Sequence, residues 1–280
     1  MEGSDGGEVA RRCSRRIGRN KEGKRVKNIK TEKHDAIILS SGDEKETLKA
    51  FVDHAKASPL PDDEILPNMG LFLTSKALSR ILFFYEIYRK ILHNHGIIVE
   101  FGVRWGQTLS IMSALRGIFE PFNRHRKIVG FDTFQGFTGI GTKDGERCRC
   151  IDGSFSVTTG YETYLDTLLG LQERLNPIPH LKKYELVRGN AMETVPAYFG
   201  KHPETIVSLA VFDFDIYEPT RVALNAVMPF LCKGSILVFD ELCDDIFPGE
   251  TIALREVLGL KSVRIQRMPM TSRISYLEIE

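Results

Sequence analysis

Four acids and one glycine-bearing loop hold the residues whose types and spacing could do chemistry. Asp213 and Asp215 lie in Val211-Phe-Asp-Phe-Asp-Ile-Tyr217, and Asp240-Glu241 follow Val238-Phe239. Asp213 and Asp240-Glu241 each end an apolar run that reads as a strand, so they meet at one edge of a sheet. Three carboxylates converging with no cation of their own repel one another strongly. A hard divalent ion relieves that repulsion, and oxygen ligands favour Mg²⁺. Strand alternation puts Asp213 and Asp215 on one face, with Phe212 and Phe214 on the other. Position makes Asp213 the metal ligand of the two. Such an ion would bind a substrate hydroxyl and lower its pKa, so that an alkoxide attacks. A nearby carboxylate or His would take the proton. The plain alternative is a set of helix caps and solvated strand-end acids. Asp244 and Asp245 read as surface residues of the next loop.

The loop is Val99-Glu-Phe-Gly-Val-Arg-Trp-Gly-Gln-Thr108, between a first strand and a first helix. Gly102 and Gly106 allow a tight turn and close approach of backbone to ligand. The helix start at Gln107-Thr108 offers free N–H groups and a positive dipole end, which suit a carboxylate. Glu100 can accept a cationic amine, so the loop fits the amino-acid part of a ligand such as methionine's. Arg104 stands where a dinucleotide fingerprint has its second glycine, and no Gly-Lys-Ser/Thr follows, which argues against both nicotinamide and P-loop sites. An ordinary strand–helix turn would use the same glycines. Two further strand ends narrow the ligand. Asp132, after Val129-Gly-Phe131, can accept both ribose hydroxyls of an adenosine. Asn190-Ala191, after the third strand, can read the adenine edge, although Asn190 would also serve as a helix cap. Together Glu100, Gly102, Gly106, Thr108, Asp132, Asn190 and Ala191 describe a nucleoside-plus-amino-acid pocket, which S-adenosylmethionine (SAM) would fit.

These residues need a scaffold of strand ends, and the periodicity supplies one. Strands are expected at Gly96–Phe101, Lys127–Phe131, Tyr184–Val187, Ile206–Phe214, Ser235–Phe239, Val263–Met268 and Ile274–Ile279. Helices are expected at Gln107–Phe119, Glu162–Leu175, Met192–Phe199, Thr220–Leu231 and Thr251–Leu258. The alternation predicts an α/β, Rossmann-like fold. Its seven-stranded sheet is mostly parallel, ends in an antiparallel hairpin across Pro269–Ser272, and carries helices on both faces. Before it, a helical pattern begins near Glu44. Thr74 caps a helix that runs to Ile91, with an expected apolar face of Leu78, Ile81, Leu82 and Tyr85. His93 and His95 read as surface residues at the end of that helix. Thr138–Tyr161 is long and Gly/Thr-rich, as functional lids or disordered loops are.

Composition bounds the rest. The chain has 280 residues, 42% of them hydrophobic, and a net charge of +1. That is enough for one sizeable core. Residues 1–33 carry eleven Lys and Arg against five acids. Residues 1–35 therefore read as a basic, disordered tail, residues 36–95 as a helical cap and residues 96–280 as the main domain. The tail has no interleaved aromatics, which disfavours nucleic acid. An arm that orders on a neighbouring subunit of a homo-oligomer is the alternative. The five cysteines, including Cys148 and Cys150, have neither disulfide nor zinc spacing. No apolar stretch has the length of a membrane span and the basic start lacks a signal's apolar region. A soluble, cytoplasmic protein is expected.

Four motifs together resemble a known family. They are Glu100-Phe-Gly-Val-Arg-Trp-Gly106, Phe131-Asp-Thr-Phe-Gln-Gly-Phe137, Asp213-Phe-Asp-Ile-Tyr-Glu-Pro-Thr220, and Asp240-Glu241 followed by Phe247-Pro-Gly-Glu250. Their order and spacing over residues 97–255 are similar to those of the macrocin O-methyltransferase (TylF/MycF-type) family of class I SAM-dependent methyltransferases. The resemblance implies a class I fold, SAM, and a Mg²⁺ ion on Asp213, Asp240 and Glu241, with Asp213 also near the proton transfer. It implies methylation of a sugar hydroxyl on a small glycosylated acceptor in natural-product biosynthesis. A phenolic, polysaccharide or amine acceptor, or a non-catalytic module on the same fold, are the alternatives. That family has Asp-Asp where this chain has Asp240-Glu241, and the longer Glu arm moves the ion. The segment around Cys148 and Cys150 has no counterpart in the match, so the acceptor is not carried over.

Overall fold

The computed structural model describes residues 41–146 and 151–280. The expected tail, Cys148 and Cys150 lie outside the described residues. Seven strands form one sheet: β1 (Ile97–Phe101), β2 (Ile128–Asp132), β3 (Tyr184–Arg188), β4 (Val207–Phe212), β5 (Leu231–Phe239), β6 (Gln266–Arg267) and β7 (Ser275–Glu278). Their order is β3-β2-β1-β4-β5-β7-β6. Strands β1 to β5 pair in parallel, and β7 runs antiparallel to both β5 and β6. Buried, Val/Ile/Leu-rich runs such as Val207–Phe212 are what a parallel sheet covered on both faces requires. The fold is the expected one. Two strands are shorter than the periodicity suggested: β6 keeps two residues of Val263–Met268, and β4 stops at Phe212.

Helices cover both faces. On one side α2 (Ser75–Ile91), α3 (Gln107–Phe119) and α4 (Tyr161–Leu175) pack a core that includes Phe84, Ile87, Met112 and Leu165. On the other, α5 (Ala191–Lys201), α6 (Tyr217–Val227) and α7 (Gly249–Val257) pack against Phe101, Phe131, Phe212 and Phe239. Those four phenylalanines sit side by side at the carboxyl ends of β2, β1, β4 and β5, with ring centroids 4.8–5.4 Å apart. They form a rigid apolar row under the strand ends that carry the polar residues. The helix α1 (Gly42–Lys56), capped by Ser41, buries no residue. Among the described residues, no helix is long and apolar enough to cross a membrane.

Helix α2 begins where expected, with the Thr74 hydroxyl accepting the Ala77 N–H at 3.2 Å. Its buried face differs from the expected one. Phe83, Phe84, Ile87, Tyr88 and Ile91 are buried, whereas Leu78 and Leu82 are 41% and 43% exposed. The helix is apolar on more than one side, and the sheet selects the aromatic stripe, which buries more area per residue.

A polar knot fixes the start of this scaffold. The buried Arg126 guanidinium donates to the carbonyls of Gly96 (2.7 Å), Asn94 (2.8 Å) and Ile91 (3.1 Å), to Ser208 Oγ (2.5 Å), and to Glu120. It therefore ties the end of α2 to the beginnings of β1 and β4. Arg126→Met would take the cationic partner from Glu120 and leave several buried carbonyls without that donor. A loss of about 3–5 kcal/mol is expected, to be read from denaturant midpoints.

Candidate functional site

The chain runs outward through β1, β2 and β3, then returns to place β4 on the other side of β1. That reversal opens a crevice beyond the carboxyl ends of β1 and β4, where open α/β sheets bind ligands. A cavity of about 610 Å³ lies there, reached by Glu100, Gly102, Thr108, Asp132, Asp213 and Asp240 among others.

The crossing of β1 and β4 is close. Asp213 N–H donates to Phe101 O at 2.8 Å, and Gly102 N–H to Phe131 O at 3.0 Å. Gly102 has φ +96°, and a Cβ there would overlap the Asp213 carbonyl. Only glycine fits. Gly106, at φ +76°, is the residue before α3, where a Cβ would press on Leu165. It shapes the turn and does not line the cavity. Gln107 and Thr108 do line it, at the helix end whose first N–H groups lack intrahelical partners.

Glu100 is 2% exposed, and its Oε2 is buried with no hydrogen-bond partner. Burial and the charge of Asp213 push it well above the usual carboxylate range; Arg80 and a Thr108 hydrogen bond oppose the shift. Asp132 accepts the Arg104 N–H at 2.8 Å on Oδ2 and the Phe134 N–H at 2.5 Å on Oδ1. Burial raises its pKa against those two bonds. Asn190 takes its other expected part: its side chain caps α5 by accepting the Met192 N–H at 3.0 Å. Its neighbours Gly189 and Ala191 line the cavity instead.

The carboxylates gather at the other end of the same cavity. Asp213, Asp215 and Glu241 each place a carboxylate oxygen within 4.8 Å of the others. Asp215 does not arrive by strand alternation, because β4 has ended; a left-handed turn at φ +62° brings it in. Asp240 lies beside this group. The fully buried Glu250 of α7 holds the two turns together, accepting the Asp215 N–H at 3.3 Å and the Glu241 N–H at 3.1 Å.

The premise of a cluster with no cation of its own is overturned. Arg80 of α2 donates to Asp213 Oδ2 at 2.9 Å, Asp240 Oδ1 at 2.6 Å and Thr108 Oγ1 at 3.2 Å. Arg273, in the β6–β7 hairpin, pairs with Glu241 and approaches Asp244 at 3.6 Å. Asp244 is thus partly absorbed by the cluster and not merely a surface acid. The five carboxylates of Asp213, Asp215, Asp240, Glu241 and Glu250 still outnumber the two guanidiniums paired with them. Burial, with Asp240 beside it, pushes Asp213 up to about 8 despite Arg80. Burial and neighbouring acids raise Asp215, Glu241 and Glu250 as well. Glu241 Oε2 is buried without a partner. An excess of hard oxygen donors with an orphaned oxygen fits a divalent cation.

Thr138 and Phe155, of the Thr138–Tyr161 segment, line the cavity. The segment's neck is closed by Phe137 N–H to Ser154 O and Gly153 N–H to Phe137 O, both at 2.9 Å. Buried Asp144 ties its near side to α6 by accepting the Tyr217 N–H at 2.5 Å.

No protein-family model and no curated protein matches the chain. Solved structures do. The calicheamicin methyltransferase CalS11 is 39% identical, with a TM-score of 0.83 over 89% of this chain and 99% of that one. The apo structure of CalS11, a TDP-rhamnose 3'-O-methyltransferase of calicheamicin biosynthesis, is 38% identical, with a TM-score of 0.76 over 86% and 96%. The O-methyltransferase NovP, 16% identical with a TM-score of 0.55 over 72% and 79%, shares the fold. With the Glu100–Gly106 loop, Asp132 and the carboxylates at one switch point, and with this likeness over nearly its whole described length, the chain belongs to the macrocin (TylF/MycF-type) family of class I SAM-dependent methyltransferases.

Proposed function

We propose that the protein transfers the methyl group of SAM to a hydroxyl of a sugar, in the making of a glycosylated natural product, with Mg²⁺ in the carboxylate cluster. CalS11, which acts on TDP-rhamnose, makes that nucleotide sugar the first acceptor to try. The observation that carries the reading is the shared cavity. Glu100 at the end of β1 and Asp213 at the end of β4 are close enough for Asp213's charge to act on Glu100, so donor and acceptor ends adjoin.

In this reading Glu100 receives the donor's ammonium on its orphaned oxygen, and the start of α3 receives the carboxylate. Asp132 takes the ribose hydroxyls, with Gly189 and Ala191 beside the adenine. The row of phenylalanines keeps the strand ends fixed, so the sulfonium methyl meets the acceptor oxygen in a set geometry. Asp213 takes the hydroxyl proton as the methyl carbon changes partner from sulfur to oxygen. Asp213 and Glu241 would hold the ion. Asp215 completes their set in this geometry, its carboxylate lying within 4.8 Å of both. When bound, Mg²⁺ supplies Lewis-acid activation of the hydroxyl.

The test is transfer of a labelled methyl group from SAM to TDP-rhamnose, after EDTA treatment and again with Mg²⁺ restored. Transfer that depends on the added ion supports the reading. Transfer indifferent to EDTA removes the metal from it. Asp132→Ala is expected to weaken S-adenosylhomocysteine binding about 10- to 100-fold, the worth of one or two charge-assisted hydrogen bonds, measured by calorimetry.

A homo-oligomer remains part of this proposal. Helix α1 buries nothing, and Leu66, Met69 and Leu71 beyond it are 70%, 52% and 64% exposed. Light scattering is expected to give a mass above the 31.7 kDa of one chain.

A further inference from the structure

Arg104 is the motif residue that the reaction so far leaves unused. It stands where a dinucleotide loop has glycine, and its backbone adopts φ +48°, a glycine-like conformation. A side chain kept at such a strained position points to a task for that side chain. The backbone is held there by its own N–H, which donates to Asp132.

The side chain is placed for a ligand. Arg104 lines the cavity, and its guanidinium lies over the Phe155 ring, 4.8 Å from the centroid. Phe155 in turn packs on Phe137 at 5.0 Å and Phe247 at 6.1 Å. Among the described residues no acid is within ion-pair range of Arg104, and its Nε is buried with no hydrogen-bond partner. Arg80 and Arg273, the other guanidiniums of the cavity, are both committed to carboxylates. Lys76, exposed at the rim, also has no ion-pair partner among the described residues. The Arg104 N–H bonds Asp132, and Arg104 lines the same cavity as Asp213, Asp215 and Glu241.

An uncommitted guanidinium in a ligand cavity calls for an oxyanion, which it binds in a forked geometry. Two groups in the proposed reaction carry one: the donor's carboxylate and a phosphate of the acceptor. The start of α3 already offers the carboxylate a partner. We propose that Arg104 binds a phosphate of the acceptor, and that the protein therefore methylates its sugar while the sugar still carries a nucleoside diphosphate. The reaction that consumes the product is then a glycosyl transfer, in which that diphosphate leaves as the new glycosidic bond forms. The inference rests on the methyl-transfer reading above.

The test is calorimetry on the full chain, on Arg104→Met and on Arg104→Gly, with thymidine diphosphate, thymidine, S-adenosylhomocysteine and methylthioadenosine. The glycine variant relieves the strained backbone, so lost binding there is not unfolding. Thymidine diphosphate is expected to bind about 10- to 100-fold more weakly to both variants, with thymidine unchanged and S-adenosylhomocysteine weakened by much less than the diphosphate. Equal affinity for the diphosphate in all three proteins overturns the proposal. So does a loss confined to S-adenosylhomocysteine and absent for methylthioadenosine, which lacks the carboxylate and would place the donor on Arg104. Diphosphate that fails to bind the unaltered chain also overturns it, and if S-adenosylhomocysteine still binds, the methyl-transfer reading stands. If S-adenosylhomocysteine does not bind either, that reading falls first.

Discussion

Asp213→Asn is expected to lower kcat by about 10²–10⁴-fold, the usual worth of a positioned general base, while S-adenosylhomocysteine binds as tightly as before or more so. The sign of the second effect follows from charge. Asp213 is one of the groups that hold Glu100 above its ordinary pKa. Replacing it removes whatever like charge Asp213 carries, which eases the ionisation of Glu100 and favours its hold on the donor's ammonium. Asn is close to Asp in shape, and Arg80 keeps its bond to Asp240, so the turn should survive. Stopped-flow or endpoint methyl transfer gives kcat and calorimetry gives donor affinity. A variant with full kcat would remove Asp213 from the chemistry. One that loses donor binding in proportion to kcat would make Asp213 a structural residue of the pocket.

Gly102→Ala is expected to be among the most damaging single-methyl changes in the protein. The added carbon would overlap the Asp213 carbonyl, and φ +96° is strained for any L side chain. Backbone faces backbone there, so no rotamer change relieves the clash. Either β1 and β4 move apart at their carboxyl ends or the loop changes course. A loss of about 3–5 kcal/mol in unfolding free energy is expected, with donor binding lost even where the fold persists. Gly106→Ala makes a graded comparison, because its clash is with the movable end of Leu165. Comparable stability for Gly102→Ala and the unaltered chain would contradict the described crossing.

What the sequence reveals and conceals has physical reasons. Strand ends were legible where an apolar run stops abruptly at a polar residue, as at Asp132 and Asp240. Glycine marked the loop because few other residues take its conformations. Three things were hidden. The phase of α2 was misjudged because its apolar residues cover more than one face. Read in the right phase, Arg80 falls on the buried stripe with Phe84, Ile87 and Ile91, at helical spacings of four, three and four, and a charge on such a stripe signals a partner in the core. Arg80 meets Asp240 across 160 residues of sequence, a separation no local pattern encodes. Asn190 carried two readings of equal local merit, and only the position of the Met192 N–H shows that capping takes its side chain. Asp215 was read by strand alternation, yet it reaches the cluster because the strand has already ended.

These corrections change the electrostatics more than the architecture. Arg80 and Arg273 neutralise part of the cluster, and Arg80 links the N-terminal helix α2 to the ends of β4 and β5. The remaining imbalance sits on Asp213, Asp215 and Glu241, beside the end of the cavity that the donor leaves for the acceptor.

The most direct measurement of the central claim, that one cavity joins a donor pocket to a hydroxyl-activating carboxylate cluster, is single-turnover methyl transfer from labelled SAM to TDP-rhamnose. The account predicts a labelled sugar with the unaltered chain and Mg²⁺, and a turnover slowed about 10²–10⁴-fold in Asp213→Asn with SAM still bound. SAM bound at full stoichiometry, with no label reaching a sugar or any other hydroxyl, would contradict it.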